Sequence, residues 1–275
     1  MRVISLRSKL SKLLLVCLAF IAFTLVHWLS EQAIRTVSTL VSTRLVPIYR
    51  VDVPTKRMSI SFDAMWGVDH TDDLLRILQE NNVKTTFFLG GYWVEKYPEY
   101  VKKIVEAGHE IGNHTYSHPH LNSLSPQGIQ QELQRNHDNI KAITGTDSFL
   151  FRPPFGEYSN KVIQVAKELG YYTIQWSIDS LDWKDVNSGF IVDRILNQAG
   201  PGEIVLMHNN GTHTAAAVAQ MLPELKRRGF EIVPISALIY RDNYYIESHS
   251  GTQRPVRSPS HKENPPIAVR EGIAW

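Results

Sequence analysis

The sequence predicts an α/β fold, a barrel of seven parallel strands, and three observations predict it. Seven short β-branched or aromatic runs recur through the middle of the chain, amphipathic helical stretches alternate with them, and glycines stand where several of those stretches stop. Barrels and open sheets share this alternation. Strands that are apolar throughout, with no solvent-facing half, favour the barrel.

The elements follow in chain order. Arg2, Arg7, Lys9 and Lys12 precede an apolar run, "LLLVCLAFIAFTLVHWL", from Leu13 to Leu29. Its length of roughly 17 residues is at the lower limit for a spanning helix. No small-x-small cleavage site follows it, and Trp28 sits where an interfacial aromatic would. The expectation is a basic cytoplasmic segment over 1–12 and a single-pass anchor over 13–29, with the rest of the chain outside. A cleaved signal peptide is the alternative, and it also exports the chain. Bulky Val16 before Cys17 argues against a lipoprotein. Residues 30–56 read as a stalk, helical in "EQAIRTVSTLVSTRL" and extended in "VPIYRVDVP".

The strand runs are "MSISF", "TTFFL", "HEIGN", "FLF", "YYTIQWS", "EIVLM" and "FEIVP". The helical stretches are Asp72–Glu80, Tyr97–Ala107, Pro126–Ile143, Lys161–Leu169, Phe190–Gln198 and Ala215–Arg228. Gly108, Gly170 and Gly229 suit the positions that end three of them. The domain they form is expected over 57–240. The remainder, 241–275, is polar and basic, and "SGTQRPVRSPSHKENPP" has the composition of a disordered tail.

Composition excludes some functions. A formal net charge of +2 with no basic stripe argues against a nucleic-acid partner, and a lone cysteine permits no intrachain disulfide. Chemistry-bearing residues instead collect just after the strand runs: Asp63, His114 and His118, Arg152, Asp179 and Asp182, and His208. In a parallel barrel these strand ends share one face, so residues distant in sequence converge there. Two imidazoles four apart in "HTYSH" would share one face of a helical turn and could grip one metal ion. Taken alone, each of these residues is most simply a loop start or, for His208, a hydrogen-bonded core histidine. Together they suit metal-assisted hydrolysis, with a carboxylate base and a histidine acid.

Over roughly Arg57 to Tyr240 the sequence resembles the polysaccharide deacetylases, the carbohydrate esterases with a NodB-homology domain. "SFDA" stands where the family has T-F-D-D. "HTYSH" fits H-x-x-S-H, "RPPFG" fits R-x-P-[YF]-G, "DSLDW" fits D-x-x-x-W, and "VLMH" contains L-x-H. The resemblance implies a distorted (β/α)7 barrel and a divalent cofactor, zinc, cobalt or manganese. It makes Asp63 the general base toward a metal-bound water, and His114 and His118 the metal ligands. Arg152 helps hold the base carboxylate, and the backbone N–H of Phe155 helps stabilise the oxyanion. His208 is the general acid, with Asp179 orienting it. Trp183 and Leu206 line the pocket for the acetyl methyl.

One position departs from the family. Ala64 stands where a second aspartate normally binds the metal. A sporulation-associated branch with F-D-x-x-W-G also lacks that residue, and "FDAMWG" resembles it. Asp63 itself, Asp69, His70, water or substrate could fill the position. The expected function is therefore membrane-anchored, metal-dependent removal of N-acetyl groups from cell-wall polysaccharide, with peptidoglycan preferred over chitin because of location. The alternative is a catalytically silent carbohydrate-binding or structural protein that has lost a metal ligand.

Overall fold

The computed structural model describes residues 16–30 and 44–256. The chain divides into two units, Met1–Arg44 and Leu45–Trp275. In the first, residues 16–30 form helix α1, whose apolar side chains from Val16 to Leu29 are exposed. Among the described residues no helix is long and apolar enough to cross a membrane. The expected anchor begins at Leu13, outside the described residues, as does most of the helical stalk.

The second unit runs β1 (Arg50–Val51), β2 (Arg57–Ala64), α2 (Thr71–Glu80), β3 (Thr86–Leu89), α3 (Gly91–Lys96), α4 (Pro98–Glu106), β4 (Glu110–Asn113) and α5 (Pro126–Thr144). It continues with β5 (Leu150–Phe151), α6 (Asn160–Glu168), β6 (Tyr172–Thr173), β7 (Ile178–Asp179), α7 (Ser188–Gln198) and β8 (Ile204–His208). The last elements are α8 (Thr214–Arg227), β9 (Glu231–Ile232), α9 (Ile235–Leu238), β10 (Tyr244–Ile246) and β11 (Thr252–Pro255).

All the strands of the main sheet pair in parallel, in the order β6-β5-β4-β3-β2-β8-β7, with β9 also on β2. The fold class is α/β as expected, but the sheet is a curled half-barrel. The run "YYTIQWS" yields β6, then leaves the sheet at Trp176 before β7. In place of a ladder between β6 and β7, the segment that leads into β1 bridges the gap: Ile48 pairs with Ile174, and Arg50, the first residue of β1, pairs with Glu203.

Strand β2 lies at the centre because both of its faces can be buried. Met58, Ile60, Phe62 and Ala64 fall on one side, within the apolar layer under the helices. The alternate residues are small and polar, and each is satisfied: Ser59 Oγ donates to the Val233 carbonyl at 2.6 Å and Ser61 Oγ to the Val205 carbonyl at 2.7 Å. Their row ends at Asp63. Helix α5 starts where Ser125 accepts from Gly128 N and Pro126 takes the first turn, and it stops at Gly145 with φ 69°. Gly108, Gly170 and Gly229 all have positive φ after their helices, as expected.

The chain ends differ from the expected stalk and tail. Strands β1, β10 and β11 form a second, three-stranded sheet. Ile48 and Val51 are buried in a core cluster with Phe88 and Ile174, and Gln253, fully buried, exchanges hydrogen bonds with the Tyr240 backbone. The folded unit therefore takes in both flanks of the expected 57–240 domain. The polar composition of "SGTQRP" misled because its hydrogen bonds are made across strands. Residues 257–275 lie outside the described residues.

Candidate active site

The C-terminal ends of the parallel strands surround a cavity of about 650 Å³, and all of the expected site residues except Arg152 line it. Arg152 lies just beneath, fully buried, its guanidinium 4.1 Å from the centre of the Phe88 ring. Its Nη1 donates to Asp63 Oδ1 at 2.7 Å and its Nη2 to Ser61 Oγ at 2.8 Å. The inner row of β2 thus carries both the carboxylate and a partner for the cation that holds it. Burial by itself would raise the Asp63 pKa. The Arg152 charge and hydrogen bond, aided by His208, outweigh burial and hold the carboxyl below its usual range.

His114 follows β4 directly. Its Nδ1 lies 2.8 Å from the Arg152 carbonyl, which can only accept, so Nδ1 carries the proton. That leaves the Nε2 lone pair 3.6 Å from Asp63 Oδ2. Burial lowers the His114 pKa against the pull of Asp63, and burial with neighbouring His114 pushes His118 down to about 4. Both rings are therefore neutral, with lone pairs available.

The two rings meet with centroids 4.9 Å apart, but not on a helical turn. The segment is a loop in which Thr115 (φ 64°) and His118 (φ 59°) are left-handed, and His118 N donates to Thr115 Oγ1. The i, i+4 spacing brought the rings together through a different backbone than expected.

Across the cavity, β8 delivers His208, whose Cα is the register partner of Asp63 on the adjacent strand. Its orienting carboxylate is Asp182, not Asp179. Asp182 Oδ1 accepts from His208 Nδ1 at 2.8 Å, while Oδ2 accepts from His208 N at 2.8 Å and Thr214 Oγ1 at 2.6 Å. Burial, the largest single influence, would lower the His208 pKa, but the bond to Asp182 and the charges of Asp182, Asp63 and Asp179 together outweigh it and raise the value. The chain turns at Leu181 (φ 60°) immediately after β7, which swings Asp182 inward. Asp179 lines the cavity and accepts from Leu181 N.

Phe155 sits in a left-handed turn (φ 59°) followed by Gly156 (φ 68°). A Cβ on Gly156 would meet Trp176 at 2.9 Å, so a bare backbone is needed there. Leu206 is buried in the wall. Trp183 is 57% exposed and Trp66, which sequence reasoning left without a role, is 68% exposed, so both form the rim. The signal for Trp66 was its place in "FDAMWG".

Two facing lone-pair donors, the His114 imidazole and the Asp63 carboxylate, with a second neutral imidazole beside them, are donor chemistry that fits a divalent cation. The fit is open. Ala64 is fully buried and brings no donor. Asp69, which accepts from Asn210 Nδ2, and His70 do not line the cavity. Among the described residues no group of three or more His, Cys, Asp or Glu is placed to hold a metal ion.

The family description that matches residues 50–174 is polysaccharide deacetylase. The peptidoglycan-N-acetylmuramic acid deacetylase PdaA of Bacillus subtilis is 32% identical, with the alignment covering 73% of this chain and 78% of that one. The chain belongs to the polysaccharide deacetylase family. A family 4 carbohydrate esterase pseudoenzyme of Bacillus anthracis superposes with a TM-score of 0.68 at 35% identity, covering 70% of this chain and 68% of that one. A mutant of that pseudoenzyme with restored enzymatic activity is similar at 36% identity. The uncharacterized protein YlxY of Bacillus subtilis is 31% identical over 70% of this chain, and the match spans only 60% of its length.

Proposed function

We propose that this protein hydrolyses N-acetyl groups of a cell-wall amino-sugar polymer, releasing acetate. One observation carries the reading: a buried carboxylate held by Arg152 and a carboxylate-supported histidine stand on register-paired positions of adjacent strands and face one cavity.

In this mechanism Asp63 accepts a proton from the attacking water. Its lowered pKa keeps it ionised, and Arg152 fixes its orientation from below. His208, protonated through the support of Asp182, donates its proton to the leaving amine. The N–H of Phe155 offers a hydrogen bond to the oxygen that becomes negative. Leu206 and the rim tryptophans exclude water around the acetyl group. His114 and His118 would hold a divalent ion, which when bound supplies Lewis acidity toward the water and the acyl oxygen.

A second reading is favoured by a specific residue. Ala64 removes a family metal ligand, and a relative of similar identity is a pseudoenzyme. In that case the cavity binds glycan without turnover. Acetate release from N-acetylglucosamine oligomers and from peptidoglycan, with chelator and after adding zinc, cobalt or manganese, separates the two. Release that depends on metal supports the hydrolase, and binding without release supports the silent reading.

We further propose that the apolar run around α1 anchors the protein, with the folded unit outside the cell. The exposed apolar side chains of α1 and the preceding Arg2, Arg7, Lys9 and Lys12 support it. Protease added to intact spheroplasts should remove the domain, and full protection would reverse the orientation.

A further inference from the structure

Apart from His208, the charges lining the cavity are carboxylates. Four aspartates line it, Asp63, Asp179, Asp182 and Asp185, and among the described residues no lysine or arginine side chain does. Two of the four are matched. Arg152 holds Asp63 from below at 2.7 Å, and His208 holds Asp182 at 2.8 Å.

The other two accept no hydrogen bond from a cationic side chain among the described residues. The Asp179 carboxylate accepts from Leu181 N, a dipole and not a cation. Arg194, the nearby guanidinium, donates to the Asp179 backbone carbonyl instead. The Asp185 side chain is 76% exposed, and His213 Nε2 stands 3.9 Å from it, beyond hydrogen-bond reach. Lys184, next in sequence, has its ammonium over the Trp183 ring at 4.8 Å and is not part of the lining. Apolar surface from Trp66, Phe155 and Trp176 completes the walls, which suits the C–H faces of a sugar ring.

We infer that the reacting subsite selects an uncharged N-acetylhexosamine and rejects a ring bearing a carboxylate, as a muramyl lactyl group does, with Asp179 and Asp185 as the discriminating residues. This rests on the glycan reading above. It is a statement about ligand charge, and it does not require turnover. A cleft whose unmatched charges share one sign focuses their field, so a carboxylate entering it meets repulsion that a neutral ring does not.

The test is a matched pair of ligands. One is a peptide-free tetrasaccharide of alternating N-acetylglucosamine and N-acetylmuramic acid. The other is the same molecule with its lactyl groups as methyl esters. Binding is followed by calorimetry on the full chain, in one arm with chelator and in another with added zinc. Because Asp185 is left-handed (φ 55°), asparagine replaces it without backbone strain, and Asp185→Asn removes only the charge.

With chelator, the ester should bind more tightly than the acid by on the order of tenfold, the size expected of two partly solvated charges acting on a third. Added salt should shrink the gap. Asp185→Asn should narrow it in both arms. Equal or tighter binding of the acid with chelator overturns the inference, as does a gap that Asp185→Asn leaves unchanged or failure of either form to bind. Absence of acetate release with the preference intact removes the hydrolase reading and leaves the selectivity standing.

Discussion

The Arg152 guanidinium sits 2.7 Å from the Asp63 carboxylate, with the two side chains 0% and 7% exposed. The pair anchors the floor of the site, because Arg152 also binds Ser61 Oγ and its carbonyl fixes the His114 tautomer. One residue therefore sets the orientation of the base and of a candidate metal ligand.

Arg152→Met should unfold the protein more readily, by about 3–5 kcal/mol, since it leaves a buried carboxylate without its cation. The sign with pH follows from the lowered Asp63 pKa. The stabilisation is present above the carboxyl's unfolded pKa and is lost as pH falls through the folded value. Denaturant titrations at neutral and acid pH should show the wild-type advantage over Arg152→Met shrinking toward acid.

Asp182→Asn should move the alkaline limb of the activity profile to lower pH. Asp182 raises the His208 pKa, so removing its charge lets His208 lose its proton earlier. Activity should survive at acid pH and fall sooner as pH rises. The same substitution at Asp179 should shift the limb much less, because Asp179 makes no hydrogen bond to His208. Rate against pH for both variants checks this.

The Asp182 assignment marks how far the sequence could be read. The α/β class, the strand ends and the convergence of Asp63, His114, His118 and His208 were legible, because parallel strands leave few places for polar residues. Which aspartate of "DSLDW" faces the histidine was not, because that depends on the left-handed turn at Leu181. The second sheet was hidden for a related reason. Its strands are two to four residues long, too short for a periodic signal, and β1 is fixed by a partner at the other end of the domain, Arg50 opposite Thr252. The open edge of the barrel was likewise invisible in "YYTIQWS", which reads as one strand.

Ala64→Asp should strengthen metal binding, by on the order of 1–3 kcal/mol for an added charge-assisted contact beside the two imidazoles. It should also destabilise the metal-free protein, since position 64 is fully buried within the apolar layer. Calorimetric titration with zinc, cobalt and manganese reads the first effect. Thermal unfolding with chelator reads the second. Unchanged affinity would show that a carboxylate at 64 cannot reach His114 and His118.

Asp63→Asn removes the proposed base while keeping its shape. The amide still accepts a hydrogen bond from Arg152 but cannot take a proton from water. Acetate release from N-acetylglucosamine oligomers should fall on the order of 10²–10⁴-fold, the range for loss of a general base, while glycan binding persists. Metal titration of the same variant then separates two roles: affinity holds if Asp63 is the base alone and drops if it also binds the ion. Wild-type turnover in Asp63→Asn would contradict the mechanism.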